Sequence, residues 1–528
     1  MDNATSVKNI GIVDIQAYVP TYYIDQSELE IYENIPKGKY TIGLGQNKMA
    51  FASDREDVNS ICLTVLDELL TRNNLKSNEG LKKIGRIEIG TETIIDKSKS
   101  IKTYLMSLFN GINNDIEGLV NTNACYGGTQ ALFNTIDYMN SKSYNGKLAI
   151  VVMGDIAIYA EKRTRSTGGC GAISMLIGPN AKIILEPIRA SYMNNVFDFY
   201  KPIPTSQYPV VDSQLSIDTY LKALNYCYKE YINKKTGKDK TINMININNK
   251  DLYYSNFTEI NSSYNKLYDK NFNLNNFDYF CFHSPFAKMV EKAFTNLVYF
   301  EINRTKNFTL DKNKENNLYS LSLEQNKELI NKILSNDTHK VKTDEHNALK
   351  KILTSKSILK NKLLPSMNIS KNIGNSYVCA LYFNLLNLIL EKKNSLLNKR
   401  IFMFSYGSGC ASTLFTLKVI DNLDHIINNN CDLFDKLESR IKISPKEFIS
   451  QMEIKEKLYL KNNYYPETDT SVLRDNTYYL DNVDSYWRRT YKKKIKDKNI
   501  IIESNKLYNN SYKKRILAIK NQLILKNK

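Results

Sequence analysis

An α/β fold is predicted for this chain by three observations. Short apolar runs, Ile84 to Gly90, Leu148 to Met153, Tyr279 to Phe282 and Ile401 to Phe404, alternate with stretches of helical period, which is the pattern of βα units. Each run leads into residues able to act on a ligand: Thr91-Glu-Thr93, Gly154-Asp155, His283-Ser-Pro285 and Ser405-Tyr-Gly-Ser-Gly409. In α/β folds such groups gather beyond the carboxyl ends of strands. The chain has 528 residues, 42% apolar and 24% charged, which allows about three domains or one large two-halved one of ordinary globular composition.

In chain order, the first well-marked element is a helix. Ser53-Asp-Arg-Glu56 has the form of a capping box, and Val58, Ile61, Cys62, Val65, Leu66 and Leu69 then recur at helical spacing to build one buried face. After the Ile84 to Gly90 strand comes Asn121-Thr-Asn-Ala-Cys125-Tyr-Gly-Gly128, followed by a second helical period (Ala131, Leu132, Ile136, Met139) that starts near Gly127. Cys125 therefore falls at the positive end of a helix dipole, which predicts a thiol pKa below the free value of about 8.5. The paired glycines permit a tight elbow and close approach by a substrate. The other seven cysteines read as structural, and the absence of any CxxC pair argues against a zinc module or a thioredoxin-like centre.

Two regions, 234–276 and 303–345, are rich in Asn, Lys, Ser and Tyr without sustained apolar period, and read as surface insertions or mobile loops. The longest apolar stretch, Tyr377 to Leu390, is interrupted by Asn384 and Asn387 and falls short of the ~20 residues of a membrane span. The net charge of +18 is unevenly placed, because Lys492 to Lys528 holds twelve Lys and Arg against Asp497 and Glu503. The body is only mildly basic, so no nucleic-acid partner is expected. The basic tail reads as compositional drift or as a membrane-surface or polyanion contact.

A thiol, a carboxylate at Glu92 and a lone strand-end histidine at His283, with no metal-ligand spacing, point to covalent acyl chemistry. His283 is a candidate acid or orienting donor. Hydrolysis by a cysteine enzyme fits the same residues, so this reading stops at acyl transfer through a thioester.

Longer blocks sharpen it. Gly38-Lys-Tyr-Thr-Ile-Gly-Leu-Gly-Gln46, Asp54-Arg-Glu-Asp57, Gly90 to Ser100, Asn121 to Gly128, Gly154-Asp-Ile-Ala-Ile-Tyr159, Asp198-Phe-Tyr-Lys-Pro202, His283-Ser-Pro285, Ser405 to Gly409 and Arg488-Arg-Thr-Tyr491 together resemble the eukaryotic hydroxymethylglutaryl-CoA synthases. The resemblance implies a thiolase-like αβαβα layered fold with two similar halves, here residues 1–230 and 277–491. Residues 231–276 form an insertion and 492–528 the basic tail. It also implies a homodimer, in the cytosol or mitochondrion.

By the same resemblance, Cys125 takes the acetyl group of acetyl-CoA and Glu92 removes a proton from the acetyl methyl. His283 polarises the ketone of acetoacetyl-CoA, and water frees 3-hydroxy-3-methylglutaryl-CoA. Asp155 and Asp198 would support acetyl transfer, and backbone N–H groups of Cys125 and Ser408 would form the oxyanion hole. Thr167, Ser216, Asn375 and Ser408 would contact the acyl chain, and Lys288 and Lys292 the CoA phosphates. Both CoA thioesters are substrates, so no cofactor or metal is expected. The N-terminus lacks the pattern of a secretory or transit signal, which predicts a cytoplasmic protein. The competing readings are another condensing enzyme, such as a ketoacyl synthase, and a catalytically silent relative acting as a basic binding protein.

Overall fold

Nearly every residue of the long strands is buried, as in sheets covered by helices on both faces. The computed structural model describes residues 9–238, 269–305, 323–335, 342–495 and 500–502. Ten strands form the main sheet: β1 (Gly11–Tyr18), β2 (Ile84–Thr91), β3 (Val120–Thr122), β4 (Leu148–Ala157), β5 (Gly169–Gly178), β6 (Ile183–Leu185), β7 (Ala190–Met193), β8 (Tyr279–Phe282), β9 (Arg400–Gly407) and β10 (Ala411–Val419). Their order is β3-β2-β4-β5-β1-β6-β10-β9-β8, with β7 also paired to β10.

The path is two similar halves joined by β6, which pairs with both β1 and β10. In the first half β2 and β4 are parallel, β4 and β5 antiparallel, and β5 and β1 antiparallel. In the second, β8 and β9 are parallel, β9 and β10 antiparallel, and β10 and β7 antiparallel. Six helices matter for the layers: α1 (Val58–Arg72), α2 (Gly127–Met139), α3 (Ser213–Lys235), α4 (Ala287–Thr305), α5 (Leu323–Leu334) and α6 (Ala380–Lys392). Residues of α2 and α6 share one apolar core with residues of β1, β4, β5, β9 and β10. Helix α1 packs into a second core, with other residues of β2, β4 and β5. Helices α3 and α4 pack into a third with those of β8 and β9. The layers therefore run α, β, α, β, α.

The central helix α6 is the apolar stretch that Asn384 and Asn387 interrupt. Both amides are buried, and each is satisfied by tertiary hydrogen bonds: Asn384 donates to the Phe282 carbonyl at 2.9 Å, and Asn387 donates to Pro365 at 2.7 Å and accepts from Ile369 N–H at 3.1 Å. No helix among the described residues is long and apolar enough to cross a membrane.

Several boundaries differ from those read in the sequence. Helix α1 starts after Asp57, whose carboxylate caps Ser60 N–H in a reciprocal box. Ser53 and Glu56 make a separate turn just upstream, in which buried Glu56 accepts from Ser53 N–H and from the Tyr18 hydroxyl. Two overlapping box patterns lie in the sequence, and the one nearer the apolar period wins. Strand β4 continues through Asp155, and β9 through Gly407, so these residues lie within strands rather than beyond them.

The region 303–345 is not loop throughout, since α5 lies in it and buries Ile330 and Ile333. Residues 231–235 belong to α3, and Phe272 and Leu274 are core residues. The basic tail starts later than position 492. Arg489–Lys493 pairs with Tyr478–Val483 and with Ile500–Ile502 in a three-stranded sheet. Lys492 and Lys493 there bind Asp481 at 3.0 Å and Asp67 at 2.7 Å. The remainder of both insertions and of the tail, with the membrane contact read for it, lies outside the described residues.

Tyr491 ties this small sheet to α1, donating to Asp57 at 2.7 Å and accepting from the Asn59 amide at 2.8 Å. Tyr491→Ala should cost about 3–5 kcal/mol, as other buried aromatic truncations do. Urea unfolding of the full chain measures it.

Candidate active site

Cys125 sits in the turn between β3 and α2 with a left-handed backbone, φ 53°, a strained elbow of the kind found at nucleophiles. The neighbouring glycines serve packing rather than substrate approach. A Cβ on Gly90 would lie 2.2 Å from Gly128 Cα, and one on Gly128 would lie 2.6 Å from Met153 Sδ. Strands β2 and β4 can therefore press directly against the start of α2. A third contact closes the elbow from the second half: a Cβ on Gly407 would lie 1.8 Å from the Ala124 carbonyl oxygen. Only glycine lets the end of β9 pass so near, and this carries Ser408 to the tunnel that Cys125 lines.

Glu92 stands one residue beyond β2. Its Oε2 accepts the Cys125 N–H at 2.9 Å and meets Cys125 Sγ at 3.7 Å, while Oε1 pairs with Lys201 Nζ at 2.8 Å. The carboxylate side chain is only 5% exposed. Asp155 fixes the loop that carries it. One Asp155 oxygen accepts from Thr91 Oγ1 (2.8 Å), Glu92 N–H (2.9 Å), Thr93 N–H (3.0 Å) and Thr93 Oγ1 (2.8 Å), and the other from Val378 N–H at 3.2 Å. Asp198 does the same for the turn after β9, accepting from the Tyr406 hydroxyl at 2.9 Å and Gly409 N–H at 2.8 Å. Both aspartates hold loops rather than touching the thiol.

His283 stands one residue beyond β8, with its N–H donating to Phe404 and its carbonyl accepting from the Tyr220 hydroxyl, each at 2.8 Å. A tunnel of about 760 Å³ is lined by Cys125, His283, Thr167, Ser216, Asn375 and Ser408. Those six of the residues singled out in the sequence are thus brought together, with Glu92 bonded to the thiol side of the tunnel. Lys288 and Lys292 are not in it. They line an adjoining groove of about 1170 Å³, and Lys288 is held by Glu291 at 2.9 Å. The cations on the tunnel wall itself are Lys39 and Arg163.

Burial pushes the Cys125 thiol well above the ordinary cysteine range, and Glu92 and Asp155 push it the same way against Lys201. This overturns the lowered pKa read from the helix dipole. The sulfur is two residues short of the helix, and the partial charge there is outweighed by burial and by a full negative charge in contact with it. The Cys125 N–H, read as an oxyanion donor, is held by Glu92. Burial lowers His283 to about 3, so the imidazole is neutral. Asp155 is raised to about 7, by burial first and by Glu92 second. For Lys201 burial works against the charge, but Glu92 outweighs it and the ammonium is held.

The sequence reading missed Lys201, although it lies inside a quoted block, because nothing along the chain links it to Glu92. It also missed Tyr159 and Tyr377, which line the tunnel with Phe199.

The layered halves and the cysteine elbow between them define the thiolase-like class. The sequence profile of hydroxymethylglutaryl-coenzyme A synthase N terminal matches residues 6–182, and that of the C terminal matches 183–267 and 246–494. The human protein named hydroxymethylglutaryl-CoA synthase, cytoplasmic, is 41% identical over 494 residues, covering 92% of this chain and 87% of its own. The hydroxymethylglutaryl-CoA synthase of Saccharomyces cerevisiae is 38% identical over 493 residues, covering 93% and 91%. The chain belongs to the hydroxymethylglutaryl-CoA synthase family. In fold it matches the solved structure of MvaS in complex with 3-hydroxy-3-methylglutaryl coenzyme A, with TM-score 0.71 and 22% identity over 92% of this chain and 99% of that one.

A histidine charged only when unfolded destabilises the fold as pH falls through its unfolded value of 6.5. Asp155 acts in the opposite sense between about 7 and its ordinary 3.8, since the folded form takes up its proton first. His283→Asn removes only the first effect. On going from pH 6.5 to 5 the variant should therefore lose about 1–2 kcal/mol less stability than the parent, read by urea unfolding at each pH.

Proposed function

We propose that this chain condenses acetyl-CoA with acetoacetyl-CoA and water to give 3-hydroxy-3-methylglutaryl-CoA and CoA, through an acetyl thioester on Cys125. The observation that carries this is the Glu92 carboxylate, buried, ion-paired, and within 3.7 Å of the sulfur that would bear the acetyl group. A methyl group two bonds beyond Sγ falls within its reach. A cysteine hydrolase would place an imidazole against the thiol; here the group that meets Sγ is a carboxylate.

In the first step Sγ attacks the acetyl carbonyl, the carbon–sulfur bond to CoA breaks, and the thiol proton leaves on the CoA sulfur. Glu92 then takes a methyl proton, and the enolate attacks the ketone carbon of acetoacetyl-CoA. Neutral His283 polarises that ketone as a hydrogen-bond donor. Because a neutral imidazole is a poor acid, the proton for the new hydroxyl comes back from Glu92. Water finally cleaves the thioester on Cys125. The Thr167, Ser216, Asn375 and Ser408 side chains line the path of the acyl chain. Lys288 and Lys292 offer cations to CoA phosphates beyond it. No cofactor enters any step.

A homodimer is part of the same proposal. Strand β3 ends the sheet with a free edge among the described residues, and Leu119, Ile94, Ile203 and Phe197 are large apolar side chains left exposed. The cytosol is the compartment proposed, on the names of the relatives called cytoplasmic and on eight unpaired cysteines; one rat relative is named mitochondrial.

Two variants test the chemistry with labelled acetyl-CoA and peptide mapping. Cys125→Ala should take up no covalent acetyl. Glu92→Gln, which keeps the size of the side chain, should still acetylate at Cys125 and lose product formation by about 10²–10⁴ or more. Failure of a folded Glu92→Gln to acetylate would assign Glu92 to the thiol alone and remove the base from the condensation.

A further inference from the structure

One wall of the tunnel is thin. Phe199–Tyr200 and Val210–Val211 form a two-stranded ribbon of their own, with Phe199 opposite Val211 and Tyr200 opposite Val210. Strand alternation gives it two faces. Phe199 and Val211 line the tunnel and pack with Tyr159, Tyr377 and Cys125. Lys201, two residues beyond Phe199, pairs with Glu92 at 2.8 Å. Tyr200 and Val210 take the other face and are exposed. A lone two-stranded ribbon is marginally stable in water unless something packs on it, and in the single chain the outer face of this one has no cover.

That face continues into a longer apolar strip. Phe197 meets the Tyr200 ring edge to face at 5.4 Å. Ile203 and Ile94 border one cavity, Ile94 and Leu119 border another, and Leu119 adjoins the free edge of β3. Phe197 is 66% exposed, Leu119 64%, and the other four lie between 37% and 51%. At about 200 Å² for a large side chain, these six leave roughly 600 Å² of apolar surface bare, the upper end for a monomer and near the about 800 Å² that each partner covers in a stable dimer. Whatever covers the strip must also answer the backbone N–H and C=O groups of the β3 edge. Lipid cannot do so. A second copy of this chain brings the same edge and the same strip about a two-fold axis.

We infer that a second copy of this chain seats on the strip and backs the ribbon from outside, so that the site of each copy is complete only in the dimer. The inference rests on the homodimer and the reaction of the previous subsection and deepens both. No side chain of the second copy has to enter the tunnel. In the single chain the ribbon moves off the site, the tunnel loses Phe199 and Val211 from its wall, and the buried Glu92 carboxylate loses its counter-charge. Lys201 is a positioning residue here, and the partner copy holds it in place through the ribbon.

The test breaks the strip at its far end. Leu119 lines neither the tunnel nor the cavity beside Lys201, so Leu119→Lys is made in the full chain, with Tyr465→Lys, at another exposed apolar residue, as the control. Sedimentation velocity reads the assembly, product formation from acetyl-CoA and acetoacetyl-CoA reads the site, and deuterium exchange of the peptide 197–211 reads the ribbon. Leu119→Lys should sediment as a monomer, with turnover per chain lower by about tenfold or more and exchange over 197–211 faster by a similar factor. Tyr465→Lys should match the parent in all three. Dilution of the unmodified chain should lower turnover per chain in step with its dimer fraction, and this decides the matter if Leu119→Lys does not fold. A monomer of either chain with parental turnover overturns the inference. So does a Leu119→Lys chain that stays dimeric, or a monomer whose exchange over 197–211 is unchanged. If the unmodified chain is a monomer that binds anionic vesicles, the strip is a lipid contact and the inference fails. If the dimeric parent forms no product, the proposed reaction fails instead, while the sedimentation and exchange results still judge the dimer.

Discussion

A carboxylate is buried in contact with a thiol and close to a second carboxylate, and the surrounding structure answers to that constraint. Burying such a charge costs several kcal/mol unless it is paired and hydrogen-bonded. Glu92 meets the requirement on both oxygens, with the Lys201 ammonium at 2.8 Å on one and the Cys125 N–H at 2.9 Å on the other. The same arrangement decides the state of the nucleophile. Burial first, and then the negative charge beside Sγ, keep the thiol protonated at rest, so Cys125 does not stand as a free thiolate. Lys201 in turn rests over the faces of Tyr377 and Phe199, at 5.0 and 5.7 Å from the ring centroids. A half-buried cation is tolerable there because its neighbours are a carboxylate and two π faces.

The duplication of the fold explains how Glu92 and His283 come to the same site. Strands β2 and β8 hold equivalent places in the two halves, each parallel to its neighbour, and Glu92 and His283 each follow their strand by one residue. The two halves then have to approach closely enough for the pair to meet at one site. Gly407 is where that approach is tightest, since its bare backbone lies against the Ala124 carbonyl beside the elbow. Asp155 and Asp198 play matching parts, each gathering the N–H groups of a loop that carries site residues.

Much of this was legible in the sequence. The four apolar runs are strands β2, β4, β8 and β9, the helical periods from Val58 and Gly127 are α1 and α2, and of the groups that follow the runs His283 and Ser408 line the tunnel with Cys125 while Glu92, bonded to Asp155, meets the thiol. What could not be read there was whatever depends on neighbours distant along the chain. Helix α2 begins where its apolar period says, yet its dipole does not govern Cys125, because burial and then Glu92, brought in from the neighbouring strand, outweigh it. Lys201 has the sequence of a solvated lysine among aromatics until the fold sets it on Glu92. The lysines after Leu480 read as part of a basic tail because composition registers charge and not its partners, Asp481 and Asp67.

Asp155 shows why the site tolerates so much negative charge. Five donors surround it, which by itself favours the ionised form, while burial and Glu92 favour the protonated one, and the balance falls near 7. Its proton is therefore marginal at neutral pH, but its architectural task does not depend on the outcome. The donors that fix the Glu92 loop most rigidly are backbone N–H groups, those of Glu92 and Thr93. They need only an acceptor oxygen, and a protonated carboxyl still offers one. The threonine hydroxyls can rotate to suit either state. Titration of Asp155 thus changes the field felt by Glu92 and Cys125 while leaving the loop in place, so the charge of the site and its geometry are set by separate groups.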